Sequence, residues 1–281
     1  MASAAHQPWT DENNPDYMKV AAAQISCALG DSTANLAKIR EFCVRAKKAG
    51  AELIVFPEMS DTGYAMAAIR KHAAPWKEGA VPELQEIART ISIAIVSGVS
   101  EREGDNIYNT QIALDENGSI IAKYRKSHLF ATAPIDEHTC CSPGDALTSF
   151  AWGAWQFGLS ICYDLRFPEV YRTLALETRS NAFLVSSAWP FPRVEHLRIL
   201  ASARAIENQS YLVIANRVGT DAGVTFCGAS AIIDPYGVCL AASSMDREEL
   251  IYADFSTEVL QSVRDGMPVL AHRRPDLYAK C

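Results

Sequence analysis

The sequence predicts an α/β fold in which two β-sheets pack face to face with helices on their outer sides. Three observations predict it. Apolar runs of strand length alternate with amphipathic stretches, which favours strand–helix–strand crossovers. Roughly a dozen segments have strand character, more than one open sheet usually holds without splitting. No linker, repeat or composition break divides the 281 residues. One domain over residues 18–281, preceded by a polar extension over 1–17, is therefore the economical reading.

The elements follow in order. KVAAAQIS, from Lys19 to Ser26, is a short apolar run suited to a strand. Asp31, Ser32 and Thr33 can cap a helix whose Leu36, Ile39, Phe42, Cys43 and Ala46 share a face, and Gly50 ends it. AELIVFPE is a buried strand stopped by Pro57, VPELQEIARTI a second amphipathic helix, and IAIVSGVS a third strand. NIYNTQIALDENGSIIAKYRK places two strand-like arms around the turn signal DENG. WQFGLSI leads into Cys162, and PEVYRTLALE is a helix with Pro168 in its first turn. NAFLVSSAW, VEHLRILASARAIENQ and YLVIANRVG repeat strand, helix, strand. GASAIIDPYGVCLAAS is a hairpin around DPYG, and LIYADF is the last strand. The tail from Met267 has no clear period and is expected to pack across a neighbouring surface.

Composition narrows the function classes. With 49% hydrophobic and 21% charged residues the chain is ordinary globular material. Its 26 basic and 33 acidic residues leave a net charge of −7, which argues against a nucleic-acid or anionic-membrane partner. No apolar run reaches the ~18 residues of a membrane-spanning helix. The N-terminus lacks the basic and apolar regions of a secretory signal, so the eight cysteines are expected as reduced thiols in the cytoplasm. His138, Cys140 and Cys141 form the one local cluster resembling a zinc site. No second half follows at finger spacing, and no metal is expected.

The stretch GLSICYDLRFPE draws attention to Cys162. Most free cysteines are small buried hydrophobes. Cys162, however, ends an apolar strand where a turn and helix begin, the place where α/β folds present functional side chains. A thiol of ordinary pKa, about 8.5, needs a base or a cation to become a nucleophile. Of six histidines, only His128 and His196 lie near promising elements, and neither carries a signature. Glu58, directly after the strand LIVFP, and Lys126, at the end of the hairpin, offer another set. Each alone has an ordinary reading as a surface residue or edge charge. Together they supply base, cation and nucleophile at strand ends.

VFPEMSDTGY, YRKSHLF and ICYDLRFPE resemble, in this order, the three signature segments of the nitrilase superfamily, the carbon–nitrogen hydrolases. The similarity runs from about Lys19 to the C-terminal RRPDLY. It implies a four-layer αββα sandwich, with Glu58 as catalytic base, Lys126 as catalytic lysine and Cys162 as nucleophile. Many members carry a second glutamate shortly before an SPGD-like segment. Here IDEHTCCSPGD offers Glu137, with Asp136 as competitor. The implied chemistry is amide hydrolysis through a thioester, with the Tyr163 N–H and Lys126 holding the oxyanion and no cofactor required. Family members usually dimerise through outer helices, so a homodimer or higher homo-oligomer is expected.

The region from Ser186 looks most like amidase branches, including ω-amidases of short α-keto or dicarboxylic acid monoamides. CYD after the nucleophile, where nitrilases proper carry CWE or CGE, favours an amide over a nitrile. Tyr64 and Trp189 are expected to line the acyl pocket, against the plainer reading of core packing. Arg166, Arg193 or Arg217 could meet a substrate carboxylate, against the plainer reading of salt bridges. The expected activity is hydrolysis of small aliphatic amides. The alternatives are an N-carbamoyl-amine or N-carbamoyl-amino-acid amidohydrolase and, further off, a nitrilase or a non-catalytic binding member.

Overall fold

The structure, a computed structural model, describes residues 16–278; the expected extension up to residue 15 lies outside them. The first sheet contains β1 (Tyr17–Gln24), β2 (Leu53–Val55), β3 (Ala94–Glu103), β4 (Asn106–Leu114), β5 (Ile120–Arg125) and, near the C-terminus, Glu249–Ser256. Its centre is parallel, β1 beside β2 beside β3. Antiparallel strands flank it: Glu249–Ser256 on β1, and the hairpin β4–β5 on β3. The second sheet repeats the plan. β6 (Ser149–Trp152) runs antiparallel to β7 (Trp155–Ile161), which is parallel to β8 (Ala182–Ser187) and β9 (Tyr211–Asn216). β10 (Ala231–Ile233) and β11 (Cys239–Ala242) close that edge antiparallel, and Glu249–Ser256 is then β12.

Crossover helices cover each sheet on one face. These are α1 (Ser32–Lys48) and, after the short α2 (Met66–His72), α3 (Ala80–Ile91) for the first sheet; α4 (Pro168–Glu177) and α5 (Val194–Asn208) serve the second. Strand periodicity sets the layers. On β1, Ala21 and Ala23 pack with Ile39 and Phe42 of α1 and Leu84 and Ile87 of α3. The alternate residues Val20 and Ala22 face the second sheet, in a cluster with Leu159, Leu184 and Val213. The αββα sandwich expected from the sequence is the observed architecture.

The caps also match. The Asp31 side chain accepts from the Ala34 N–H at 3.0 Å, and Pro168 opens α4. The structure adds elements the sequence reading passed over: α2, α6 (Thr257–Gly266) and β6, all short, and β1 begins at Tyr17 rather than Lys19. The tail from Met267 starts against the body, where Gln209 Nε2 donates to the Met267 carbonyl at 2.7 Å and Val269 and Leu270 are half-buried; it then makes one short helix, α7 (Pro275–Tyr278), with Leu277 and Tyr278 exposed.

Candidate active site

The ends of strands from both sheets converge on one buried group. Glu58 follows β2, Lys126 follows β5, Cys162 follows β7, and Ala188 follows β8. Pro57 stops the β2 ladder, and the chain turns past Gly98 of β3. A Cβ on Gly98 would lie 2.5 Å from the Glu58 Cα, so glycine there lets the Glu58 segment seat against β3. Cys162 opens a 3-10 turn, Cys162–Arg166, at φ +44°. That left-handed conformation is strained for a residue with a Cβ, and it turns the side chain out of the strand's course.

Four side chains form a closed polar cluster. Lys126 Nζ donates to Glu58 Oε1 and to Glu137 Oε2, both at 2.7 Å. Asn109, in β4, donates through Nδ2 to Glu58 Oε1 at 2.6 Å and to Glu137 Oε1 at 2.8 Å. The Ala188 N–H donates to Glu58 Oε2 at 2.9 Å, and the Phe130 N–H to Glu137 Oε2 at 2.6 Å. All four side chains are fully buried. Asp136, the competitor for Glu137, instead caps the 3-10 turn Glu137–Thr139 by accepting from the His138 N–H.

Burial shapes the protonation states. It pushes the Cys162 thiol well above its usual range, and the Glu58 carboxylate adds to this; Lys126 and the Ala188 N–H oppose it. The resting sulfur is therefore a thiol, and attack needs a base at the moment of reaction. Burial also raises Glu58, against the lowering effect of Lys126. For Lys126 burial alone would lower the pKa, but Glu137 and Glu58 carry it well above normal, so it stays an ammonium. Such a set can abstract a proton, hold a developing negative oxygen and return the proton to a leaving amine.

A narrow pocket opens onto Cys162. Tyr64, Tyr163 and Trp189 line it, with Phe130, Arg166 and Arg193 beside them. Tyr64 is also buried against Phe226, and burial followed by Glu137 raises its hydroxyl pKa. Trp189 donates through Nε1 to the Arg193 carbonyl, and the Arg166 guanidinium sits 4.7 Å over its ring. Arg217, the third arginine candidate, is committed to Asp221 at 2.5 Å, fully buried. Cys140 bonds weakly to the Met66 carbonyl and Cys141 is buried. Among the described residues no three His, Cys, Asp or Glu side chains are grouped to hold a metal ion.

Sequence reasoning missed Asn109, Phe130, Ala188 and the role of Asp164. Only Asn109 carried a signal, as an amide in the interior of a strand, where Asn is depleted. Asp164 is buried and joins the two halves of the site. Its Oδ2 accepts from the Ile161 N–H at 2.9 Å and the Tyr124 hydroxyl at 2.8 Å. Its Oδ1 accepts from the His128 N–H at 3.2 Å and lies 2.8 Å from His128 Nδ1. The carboxylate thus locks the turn of Cys162 to the segment carrying Lys126. Asp164→Asn puts a donor where only acceptors fit, so kcat is expected to fall roughly 10- to 100-fold by misplacing the reacting groups. Steady-state kinetics beside a melting curve checks this; wild-type kcat in a folded variant would contradict it.

A thiol at a strand end, near a buried carboxylate–ammonium pair and inside an αββα sandwich, has the parts of a cysteine-dependent hydrolase. The carbon–nitrogen hydrolase family model matches residues 19–265, and the chain belongs to that family. It is 34% identical to the 2-oxoglutaramate amidase of Bacillus subtilis (strain 168), over 92% of this chain and 98% of that one. It is 30% identical to the omega-amidase NIT2 of Homo sapiens, over 91% and 94%. Among solved structures it resembles a variant of the amidase from Nesterenkonia sp. AN1 that carries the acetamide moiety of fluoroacetamide covalently on its active-site cysteine. That match has a TM-score of 0.84 at 29% identity and covers 93% of this chain and 95% of the other. The chain is a cysteine-dependent amidase.

Proposed function

We propose that the enzyme hydrolyses the terminal amide of short ω-amido carboxylic acids to the diacid and ammonia. The observation that carries this reading is the pair of arginines lining the pocket. Arg166 and Arg193 line the pocket without a carboxylate partner among the described residues, where the Arg166 guanidinium hydrogen-bonds only the His196 ring nitrogen, at 3.3 Å. Burial and the neighbouring Arg193 charge lower the pKa of Arg166, which a bound substrate carboxylate would relieve.

The chemistry follows from the geometry. Glu58 takes the thiol proton as Cys162 attacks the amide carbonyl. Lys126 and the Tyr163 N–H, at the open N-terminal end of its turn, hold the oxyanion; losing one such donor typically costs ~3–4 kcal/mol of activation free energy. Glu58 then delivers the proton to the departing ammonia, leaving a thioester, and afterwards activates water to release the acid. Glu137 holds Lys126 and orients the bound groups. Tyr64 and Trp189 shape the acyl pocket. No cofactor enters these steps.

Arg166→Ala is expected to raise KM for an ω-amido acid roughly 10- to 100-fold, the worth of a charge-assisted hydrogen bond. KM for a neutral amide of equal length should stay within about threefold, as expected where no charge is read. Equal losses on both substrates would refute the carboxylate subsite. An N-carbamoyl amino acid would also suit the two arginines, and a panel scored for ammonia with and without carbon dioxide separates that alternative.

The domain is read as residues 18–281 acting as one unit behind the extension 1–17. A second copy of the chain is the proposed partner. Ile199 and Ile206 of α5 are exposed, as are Tyr236, Val238 and Leu240 of the β10–β11 hairpin, and Gly237 lies against Ile206, making the patch continuous. A cytoplasmic location is supported by the described cysteines, which are all free.

A further inference from the structure

We propose that Asn109 is a positioning residue of the catalytic group: it saturates one oxygen of Glu58 and keeps the other as the proton acceptor facing Cys162. This rests on Glu58 being the base. The backbone explains the placement. The Asn109 carbonyl accepts from the Lys126 N–H at 2.8 Å, one step beyond the Thr110–Arg125 pair of the β4–β5 ladder. Asn109 and Lys126 are therefore cross-strand neighbours whose side chains stand on the same face.

An amide NH2 has two hydrogens, and Asn109 directs both at carboxylates, one to Glu58 Oε1 and one to Glu137 Oε1. Lys126 also donates to Glu58 Oε1. That oxygen thus receives two strong donors and has little capacity left for a proton. Glu58 Oε2 receives one donor, the Ala188 N–H, and the Cys162 sulfur lies beside the same N–H. Oε2, with one donor against two on Oε1, keeps the free lone pair, and the thiol proton is assigned to it. The Asn109 orientation is itself informative. With the amide reversed, its oxygen would face two carboxylate oxygens at 2.6 and 2.8 Å, an arrangement that repels unless both acids are protonated. Asn109 Oδ1 is buried without a hydrogen-bond partner. That is a costly arrangement, and it fits a residue held for its donors.

The cluster carries two carboxylates and one ammonium in a dry interior. Lys126 neutralises one negative charge, and the Asn109 dipole opposes the repulsion of the other. Loss of its donors destabilises ionised Glu58 and moves the carboxylate to a higher pKa, so the acid limb of activity moves to higher pH.

The test uses the full-length chain. The pH dependence of kcat/KM, and of Cys162 alkylation by the neutral reagent iodoacetamide, is measured for wild type, Asn109→Leu, Asn109→Ser and Glu58→Gln. Asn109→Leu, close in volume but without donors, is expected to move the acid limb up by about one pH unit or more, with kcat down more than about tenfold and KM nearly unchanged. Asn109→Ser keeps one donor and should fall between. An acid limb at the wild-type position in Asn109→Leu overturns the proposal, whatever happens to the melting temperature. If the leucine variant does not fold, the same criterion applies to Asn109→Ser. Glu58→Gln separates the two readings: wild-type turnover there would remove Glu58 as the base, whereas a dead Glu58→Gln with unshifted Asn109 variants would remove only the positioning role.

Discussion

Cys162→Ala is expected to lose amide turnover by a factor of about 10^4 or more, the usual outcome when a covalent nucleophile is removed from a group that acts as a unit. The loss follows from the sulfur's position and not from damage to the fold. Alanine keeps the Cβ and the strained φ of +44°, and it deletes a single atom at the mouth of a pocket, so stability should change by no more than about 1 kcal/mol. Ammonia release and a melting curve measure the two effects. Brief exposure of wild type to an amide should leave an acyl mass on the peptide containing Cys162 and none in the variant. An adduct on Cys140 or Cys239 would refute the assignment.

Lys126→Ala is expected to abolish activity and, unlike the first variant, to destabilise the protein. Lys126 is fully buried between two fully buried carboxylates. Removing it leaves Glu58 and Glu137 facing each other without a cation, a change that typically costs about 3–5 kcal/mol. The pH dependence has a definite sign. Burial already raises the Glu58 pKa above its unfolded value, and Lys126 is the largest influence holding it down. In the variant the folded pKa rises further. A carboxylate raised by folding imposes no penalty below its unfolded pKa; the penalty grows as pH climbs from the unfolded to the folded value and is constant above it. The stability deficit of Lys126→Ala should therefore be larger at pH 8 than at pH 5. Melting temperatures at both pH values decide this; an equal deficit would mean that the glutamates are not the source.

Much of the molecule was legible because its patterns are local. The buried face of α1, the DENG and DPYG turns and the apolar strands are each written within a few residues, and backbone hydrogen bonding follows from such periodicity. Glu58, Lys126 and Cys162 were visible because each sits at a strand end inside a distinctive segment. The short α2 was missed, since a single amphipathic repeat carries little signal; α6 was missed although, at ten residues with Leu260 and Val263 buried, it is as long as α4. The tail carries no period of its own, and its start is placed by a tertiary contact, the bond from Gln209 to the Met267 carbonyl.

By itself the sequence determined two sheets with covering helices, and a thiol, an acid and a cation each waiting at the end of a strand. It could not say that Glu137, rather than Asp136, turns inward, that Asn109 spans both glutamates, or that Asp164 ties the cysteine turn to the lysine segment. The bonds from Asn109 to the two glutamates and from His128 to Asp164 join residues 28 to 51 positions apart, and a hydrogen bond depends on distances of tenths of an ångström. Only the tertiary packing of strands and loops fixes such distances. It also decided that Arg217 holds Asp221 while Arg166 and Arg193 line the pocket.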